Sequence, residues 1–249
     1  QGDEGIRVHA QQERLGRLQA RFSVVASTNP HAWSPGPFAA ADIADASPDN
    51  RLVSWPYTKL MNSNIQTDQA ASLLLLSHSK ADELGIAPER RVYLHGSAHA
   101  IEPWFFSERD DLGRSPGMRA AIASALDQAS TDADGIDLLD LYSCFPSAVR
   151  IAALELGYDP VEDPREPTVT GGLAFAGGPG NAYVLQSIAS MTERLRERPD
   201  AKGLVTAVGW YLTKLAAGVY GVEPPSEPFV AAVSHPEPRG ARAVVPTDW

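Results

Sequence analysis

The segment Gly171–Ser190 reads GGLAFAGGPGNAYVLQSIAS. Five glycines and one proline fall in its first ten residues, after which Val184, Leu185, Ile188 and Met191 recur at the spacing of one helix face. A flexible loop is thus delivered onto a helix start. Glycine reaches backbone conformations closed to other residues and lets a ligand come close to main-chain N–H groups. The first N–H groups of a helix have no internal partner and suit an anion or a developing oxyanion. Glycines chosen for tight packing alone would read the same way, so the loop is weighed together with its neighbours.

Upstream, Asp137–Ala148 reads DLLDLYSCFPSA. A short apolar strand, Ile136 to Leu141, breaks at Tyr142, Ser143 and Cys144 and enters a helix over Ser147 to Leu156. Strand ends of this kind are where α/β sheets place their chemistry. Working outward, further strands are expected at Leu73–Leu76, Arg91–Ser97, Gly203–Val208 and Phe229–Val233, and a last short one at Phe22–Val25. Helices are expected over residues 3–21, Ser79–Leu84 and Gly117–Ala129, the last capped by Ser115-Pro116. Alternation of strand and helix from residue 70 to 233 gives an α/β core of about five strands and three to four helices. Thr28–Asn50, rich in Pro, Ala, Asp and Ser, reads as a linker or a functional loop. Tyr158–Pro167, acidic and proline-rich, reads as a surface excursion.

Composition narrows the function classes. A chain of 249 residues with 43% hydrophobic content can bury a substantial core, and a net charge of −10 argues against nucleic acid or an anionic membrane as partner. No apolar run is long enough to span a bilayer. A single cysteine excludes internal disulfides and cysteine-based zinc sites, which fits a reduced, cytoplasmic setting. His95 and His99 stand four apart in non-helical sequence with no third ligand nearby, so both are read as structural or surface residues and no metal site is expected. Ile101–Phe106, IEPWFF, is an aromatic patch, either interface or core. Gln1 is preceded by no methionine or signal-like segment, so a longer reading frame or a processed product is expected.

Tyr142-Ser143-Cys144-Phe145 resembles the His-Asp-Cys-Phe tetrapeptide, and Gly171–Pro179 the Gly-Gly-Leu-x-x-x-Gly-His-Pro loop, of the C-terminal half of thiolases. The likeness is nearest to the sterol-carrier-protein type and its thiolase-like, acetyl-CoA acetyltransferase-like relatives, and runs from about Asn29 to Tyr220. It implies an α/β thiolase fold: the C-terminal core domain, a mixed five-stranded sheet with helices, plus part of the loop domain. Residues 1–62 are then a helix and loop-domain segment ending the N-terminal half, 63–234 the C-terminal core domain, and 235–249 a linker tail that related proteins extend into an OB-fold domain. The implied substrate is a coenzyme A thioester, with no tightly bound cofactor. Implied partners are acyl-CoA, the N-terminal thiolase half (in the same reading frame or a separate chain), a second copy of the chain, and an OB-fold domain or protein.

Asn29–Trp33 and Pro56–Asn62 resemble the segments where the CoA moiety lies, which assigns Trp33, Tyr57 and Asn62 to CoA binding. Asn64, by its spacing from Asp68, takes the place of a serine that contacts pantetheine. Trp33, Trp55 and Tyr57 either pack on adenine or pantetheine or form a small satellite core. Cys144 matches the acid/base cysteine of the sterol-carrier type, or is a small buried hydrophobe. Tyr142 stands where that type has a histidine, either as a catalytic hydroxyl or as a buried ring capping a backbone group. Gly178 occupies the position of the imidazole that activates the nucleophile, and Gly177, Gly180 and Asn181 are the oxyanion-side candidates. The late Cys-x-Gly motif is absent, since that strand ends Ala207-Val208-Gly209-Trp210. Three functions follow: an atypical acyltransferase of Claisen or thiolysis type, a retro-aldolase on β-hydroxyacyl-CoA in steroid or lipid side-chain degradation using Tyr142, or a non-catalytic acyl-CoA-binding scaffold.

Overall fold

The structure, a computed structural model, describes residues 8–227 and 232–234. Helix α1, Val8–Thr28, buries Leu15, Leu18, Phe22 and Ala26 along one stripe, the i, i+3, i+7, i+11 spacing of an amphipathic helix. The helix expected over residues 3–21 is therefore longer at its C-terminal end, and its first residues lie outside the described part. No strand forms at Phe22–Val25: Phe22 continues the buried stripe, and packing along it overrides the extended preference of Val24 and Val25. Beyond α1 the chain makes the short helix α2, Ala40–Ala44, and a small hairpin of β1, Leu52–Ser54, and β2, Tyr57–Thr58. This region is packed rather than a free linker, since Ile43 is buried and the Asn50 side chain donates to Asp42 O and Ile43 O.

After α3, His78–Glu83, the main sheet is built from β3, Tyr93–Ile101; β4, Leu138–Asp140; β5, Gly203–Gly209; β6, Lys214–Gly221; and β7, Ala232–Ser234. Its order is β4-β5-β6-β3-β7. The outer pairs β4/β5 and β3/β7 are parallel and the inner pairs antiparallel, so the sheet is mixed, as expected. Successive residues leave the sheet on opposite faces. Leu139 and Leu204 enter the large core shared with α1, α4 (Pro116–Gln128) and α5 (Pro146–Leu156). Leu138 and Val205 enter a smaller cluster with Met191 and Leu195 of α7, Tyr183–Glu197. The α4 start is capped as read from sequence, with Ser115 Oγ accepting the Met118 N–H at 3.1 Å.

Two further strand assignments differ from the sequence reading. Leu73–Leu76 forms no strand; Leu74 and Leu75 are 77% and 87% exposed, because an apolar run becomes a buried strand only beside a partner strand, and none pairs with it among the described residues. The fifth strand is instead β6, whose Ala216, Ala217 and Gly218 carry little β preference of their own and are held by pairing to β5 and β3 on either side. The strand expected at Phe229–Val233 is described only as β7, and the 235–249 tail lies outside the described residues. The excursion at Tyr158–Pro167 is pinned to α1: the Arg21 guanidinium donates to the carbonyls of Pro160, Asp163 and Arg165. No helix among the described residues is long and apolar enough to cross a membrane.

The β5–β6 hairpin turns without glycine, so Trp210 and Leu212 take the left-handed backbone region at φ 59° and 53°. Trp210 is 72% exposed and buries little in exchange. Trp210→Gly should raise stability by about 1 kcal/mol, read as a higher urea midpoint at unchanged slope. A lower midpoint would mean that the edge contact between Trp210 and Tyr211 outweighs the backbone cost.

Candidate functional site

The site is organised around a residue that the sequence reading passed over. Asp140, the last residue of β4, is fully buried. One carboxyl oxygen accepts the Thr168 hydroxyl at 2.8 Å, the Val169 and Thr170 N–H groups at 3.0 and 3.2 Å, and the Thr170 hydroxyl at 3.1 Å. The other accepts the Tyr183 hydroxyl at 3.0 Å and the Ser187 hydroxyl at 2.6 Å. Strand end, loop and helix α7 are thereby tied to one point. The signal was present as an aspartate inside an apolar strand, Leu138-Leu139-Asp140-Leu141, followed by a Thr-x-Thr before the glycines. Burial and the neighbouring Asp140 raise the Tyr183 pKa well above its ordinary value, so its hydroxyl stays a donor.

From that anchor the chain continues into Tyr142, Ser143 and Cys144. The Tyr142 N–H donates to Thr206 Oγ1 of β5 at 2.9 Å, and its ring packs edge-on against Tyr183, 5.6 Å between centroids. Burial, with Cys144 adding to it, raises the Tyr142 pKa, so the phenol is a neutral hydrogen-bond donor at neutral pH rather than a base. Burial likewise pushes the Cys144 thiol up to about 11, which keeps it a thiol. Ser143 Oγ accepts the Leu173 N–H at 3.0 Å and so fixes the start of the glycine loop, within the short helix α6, Gly172–Phe175.

The glycine loop is covered by the segment after the small hairpin. The Ser63 N–H donates to Cys144 O at 3.1 Å, the Asn64 N–H to Leu173 O at 2.9 Å, and the Gly178 N–H to Asn64 O at 2.9 Å. A Cβ placed on Gly177 would collide with Gln69 Oε1, and one on Gly178 with Ser63 Oγ. The Gly177 and Gly180 N–H groups donate within the loop, to Gly172 O at 3.4 Å and Gly178 O at 2.7 Å. All three glycine N–H groups are thus engaged inside the chain.

Among the expected CoA-side residues, Tyr57 stacks on Phe145 at 6.0 Å, next to Cys144. The Trp33 N–H donates to Ala176 O at 2.9 Å, which joins that segment to the loop. Trp33 and Trp55 are too exposed to form a closed satellite core. Asn62 turns its Nδ2 back to Thr58 O at 2.6 Å and leaves Oδ1 buried without a partner, while Asn64 Oδ1 accepts the Gln66 N–H at 3.2 Å. Gly180 and Asn181 are exposed at the loop's outer end, and among the described residues no hydrogen bond joins them to Tyr142. A cleft of about 280 Å³ lies between Gln69, Ala176 and the Gln186 side of α7, and one of about 630 Å³ opens near Arg165 and Arg194; neither has Tyr142, Cys144 or Gly178 in its wall. No three His, Cys, Asp or Glu side chains among the described residues converge as a metal ion would require.

Known proteins give this geometry a context. No protein-family profile matches the chain. An acetyl-CoA acetyltransferase of Syntrophomonas wolfei is 27% identical over 183 residues, 74% of this chain and 42% of the relative. A 3-ketoacyl-CoA thiolase of Citrobacter koseri is 29% identical over 161 residues, 59% of this chain and 35% of the relative. Among solved structures, a monomeric SCP2-thiolase-like protein, type 1, from Mycobacterium smegmatis superposes with a TM-score of 0.82 at 34% identity, over 90% of this chain and 49% of that one. The chain spans less than half the length of each of these relatives. In sequence and in fold it is thiolase-like, and it corresponds to the C-terminal half of such proteins.

Asp140→Ala should cost at least about 3 kcal/mol, since several buried donors lose their acceptor together; a chemical-denaturation loss below 1 kcal/mol would show that the hub is dispensable. The thiol makes a second prediction. Alkylation of Cys144, the single cysteine, should be slow at neutral pH and climb with a midpoint near 11. A midpoint at the ordinary thiol value, followed by mass spectrometry across pH, would mean that the thiol is solvated.

Proposed function

We propose that this chain is the part of a thiolase-superfamily protein that holds an acyl-CoA thioester beside Tyr142 and Cys144, and that its chemistry departs from ordinary thiolysis. The observation that carries this reading is the pair of neutral groups at the strand end: a phenol and a thiol that both stay protonated at neutral pH, next to a glycine at the position of the family's imidazole. Neither can take a proton from a nucleophile there. Each can give a hydrogen bond or a proton. Tyr142 would donate to the thioester oxygen as enolate character develops, and Cys144 would return a proton to the α-carbon. The nucleophile or base of the step is assigned to the remaining half of the protein. That half also supplies a physical reason for the bare Leu73–Leu76 run, whose exposed leucines need a cover.

The retro-aldol alternative gains support from the same pair, since cleavage of a β-hydroxyacyl-CoA needs enolate stabilisation and a proton donor but no thiolate. The base that takes the β-hydroxyl proton as the carbon–carbon bond breaks is assigned to the remaining half, because Tyr142 and Cys144 stay protonated. The monomeric state in the name of the Mycobacterium smegmatis relative supports a single copy here too, in place of the homodimer that the family resemblance implied.

The test is turnover by the full-length protein with acetoacetyl-CoA plus CoA, and separately with a β-hydroxyacyl-CoA. Tyr142→Phe is expected to lower kcat on the productive substrate by about 100-fold while CoA affinity holds. Thiolysis that dies with Cys144→Ala would establish the acyltransferase route. Cleavage of the hydroxyacyl substrate alone, lost in Tyr142→Phe, would establish the aldolase. CoA binding without either turnover would leave a binding scaffold and sink the catalytic reading.

A further inference from the structure

Gly178 and Ser63 occupy each other's space. Any side chain at 178 would start where Ser63 Oγ now sits, so the hydroxyl stands at the root of the position from which the family's imidazole would project. Ser63 is also held from both sides by main chain. Its N–H is bonded to Cys144 O, and its neighbour Asn64 is bonded to Leu173 and Gly178. Yet its own hydroxyl has no hydrogen-bond partner among the described residues, whereas those of Ser115, Ser143 and Ser187 are all engaged. Ser63 itself is half-buried; beside it Gln69 covers Gly177 with an Oε1 that is buried and without a partner, and Asn62 Oδ1 is a second buried atom of that kind on the same segment. Buried polar atoms are rarely left unpaired in a folded protein, and here a hydroxyl without a partner among the described residues stands at Gly178, next to a buried unpaired amide oxygen at Gly177.

From this arrangement we propose that the Ser63 hydroxyl is a catalytic residue, donating a hydrogen bond to the carbonyl oxygen of the bound thioester from the position left free by the missing imidazole. The assignment rests on the reading that a CoA thioester lies beside Cys144, and it adds a second neutral donor to Tyr142. Ser63 supplies only a hydrogen bond and transfers no proton, so no further reactant is needed.

The experiment is calorimetric binding to the full-length protein of three probes: CoA, butyryl-CoA, and S-butyl-CoA, the thioether that lacks the carbonyl. The wild type is expected to prefer the thioester over the thioether about three- to tenfold. Ser63→Ala should weaken that preference and leave CoA and the thioether unchanged, while Ser63→Thr, which keeps the hydroxyl, should retain it. A preference that survives Ser63→Ala undiminished would overturn the assignment. So would a Ser63→Ala protein that loses CoA itself, which would make Ser63 structural. Equal binding of all three probes by the wild type would sink the Ser63 donor while leaving the CoA reading intact. Failure to bind any of them would sink that reading and Ser63 with it.

Discussion

Six hydrogen bonds converge on the Asp140 carboxyl group, from the Thr168–Thr170 segment, from Tyr183 and from Ser187. A buried acidic group is tolerated only when its oxygens are fully met, and here the requirement fixes three elements at once. The end of β4 cannot shift without dragging the segment that opens the glycine loop. Nor can α7 rotate without pulling Tyr183 from beneath Tyr142. The positions of Tyr142, Cys144 and Gly178 are consequences of that constraint more than of any contact they make themselves.

The same scaffold explains why residue replacements can change the chemistry without disturbing the fold. A sheet whose strand end and loop are locked by a carboxyl group offers fixed places, and what stands in them decides the reaction. Here the places hold a phenol, a thiol and a glycine. The thiol and phenol are pushed toward their protonated forms by burial, which removes bases from the strand end and leaves donors. A site of that character favours reactions that need an oxygen to be stabilised over those that need a nucleophile to be made.

Much of this was legible in the sequence where local pattern and tertiary context agree. The helix of Ser115-Pro116, the strand before Tyr142 and the glycine loop all carried their own caps and breaks. What misled was pattern without context. Leu73–Leu76 has every local mark of a buried strand and, among the described residues, lacks the neighbour that would make it one; β6 has almost no local mark and is a strand because two neighbours hold it. Phe22 looked extended until the stripe from Leu15 and Leu18 was seen to continue through it. Ser63 and Asp140 were passed over for a different reason. A lone serine and an aspartate in an apolar run carry no motif, and their contacts arise from segments distant in the chain coming together.

The mutual exclusion of Ser63 and the side chain at 178 bears on how such a protein could change over generations. A β-carbon at position 178 would collide with the Ser63 hydroxyl oxygen, while the next atoms, of Asn64 and Leu173, stand at 3.3 and 3.4 Å. A side chain there is therefore admitted once Ser63 turns its hydroxyl to another rotamer or gives way to a smaller residue. The serine thus acts as a latch on what position 178 can carry, and the two positions change most easily in the order that frees the space first.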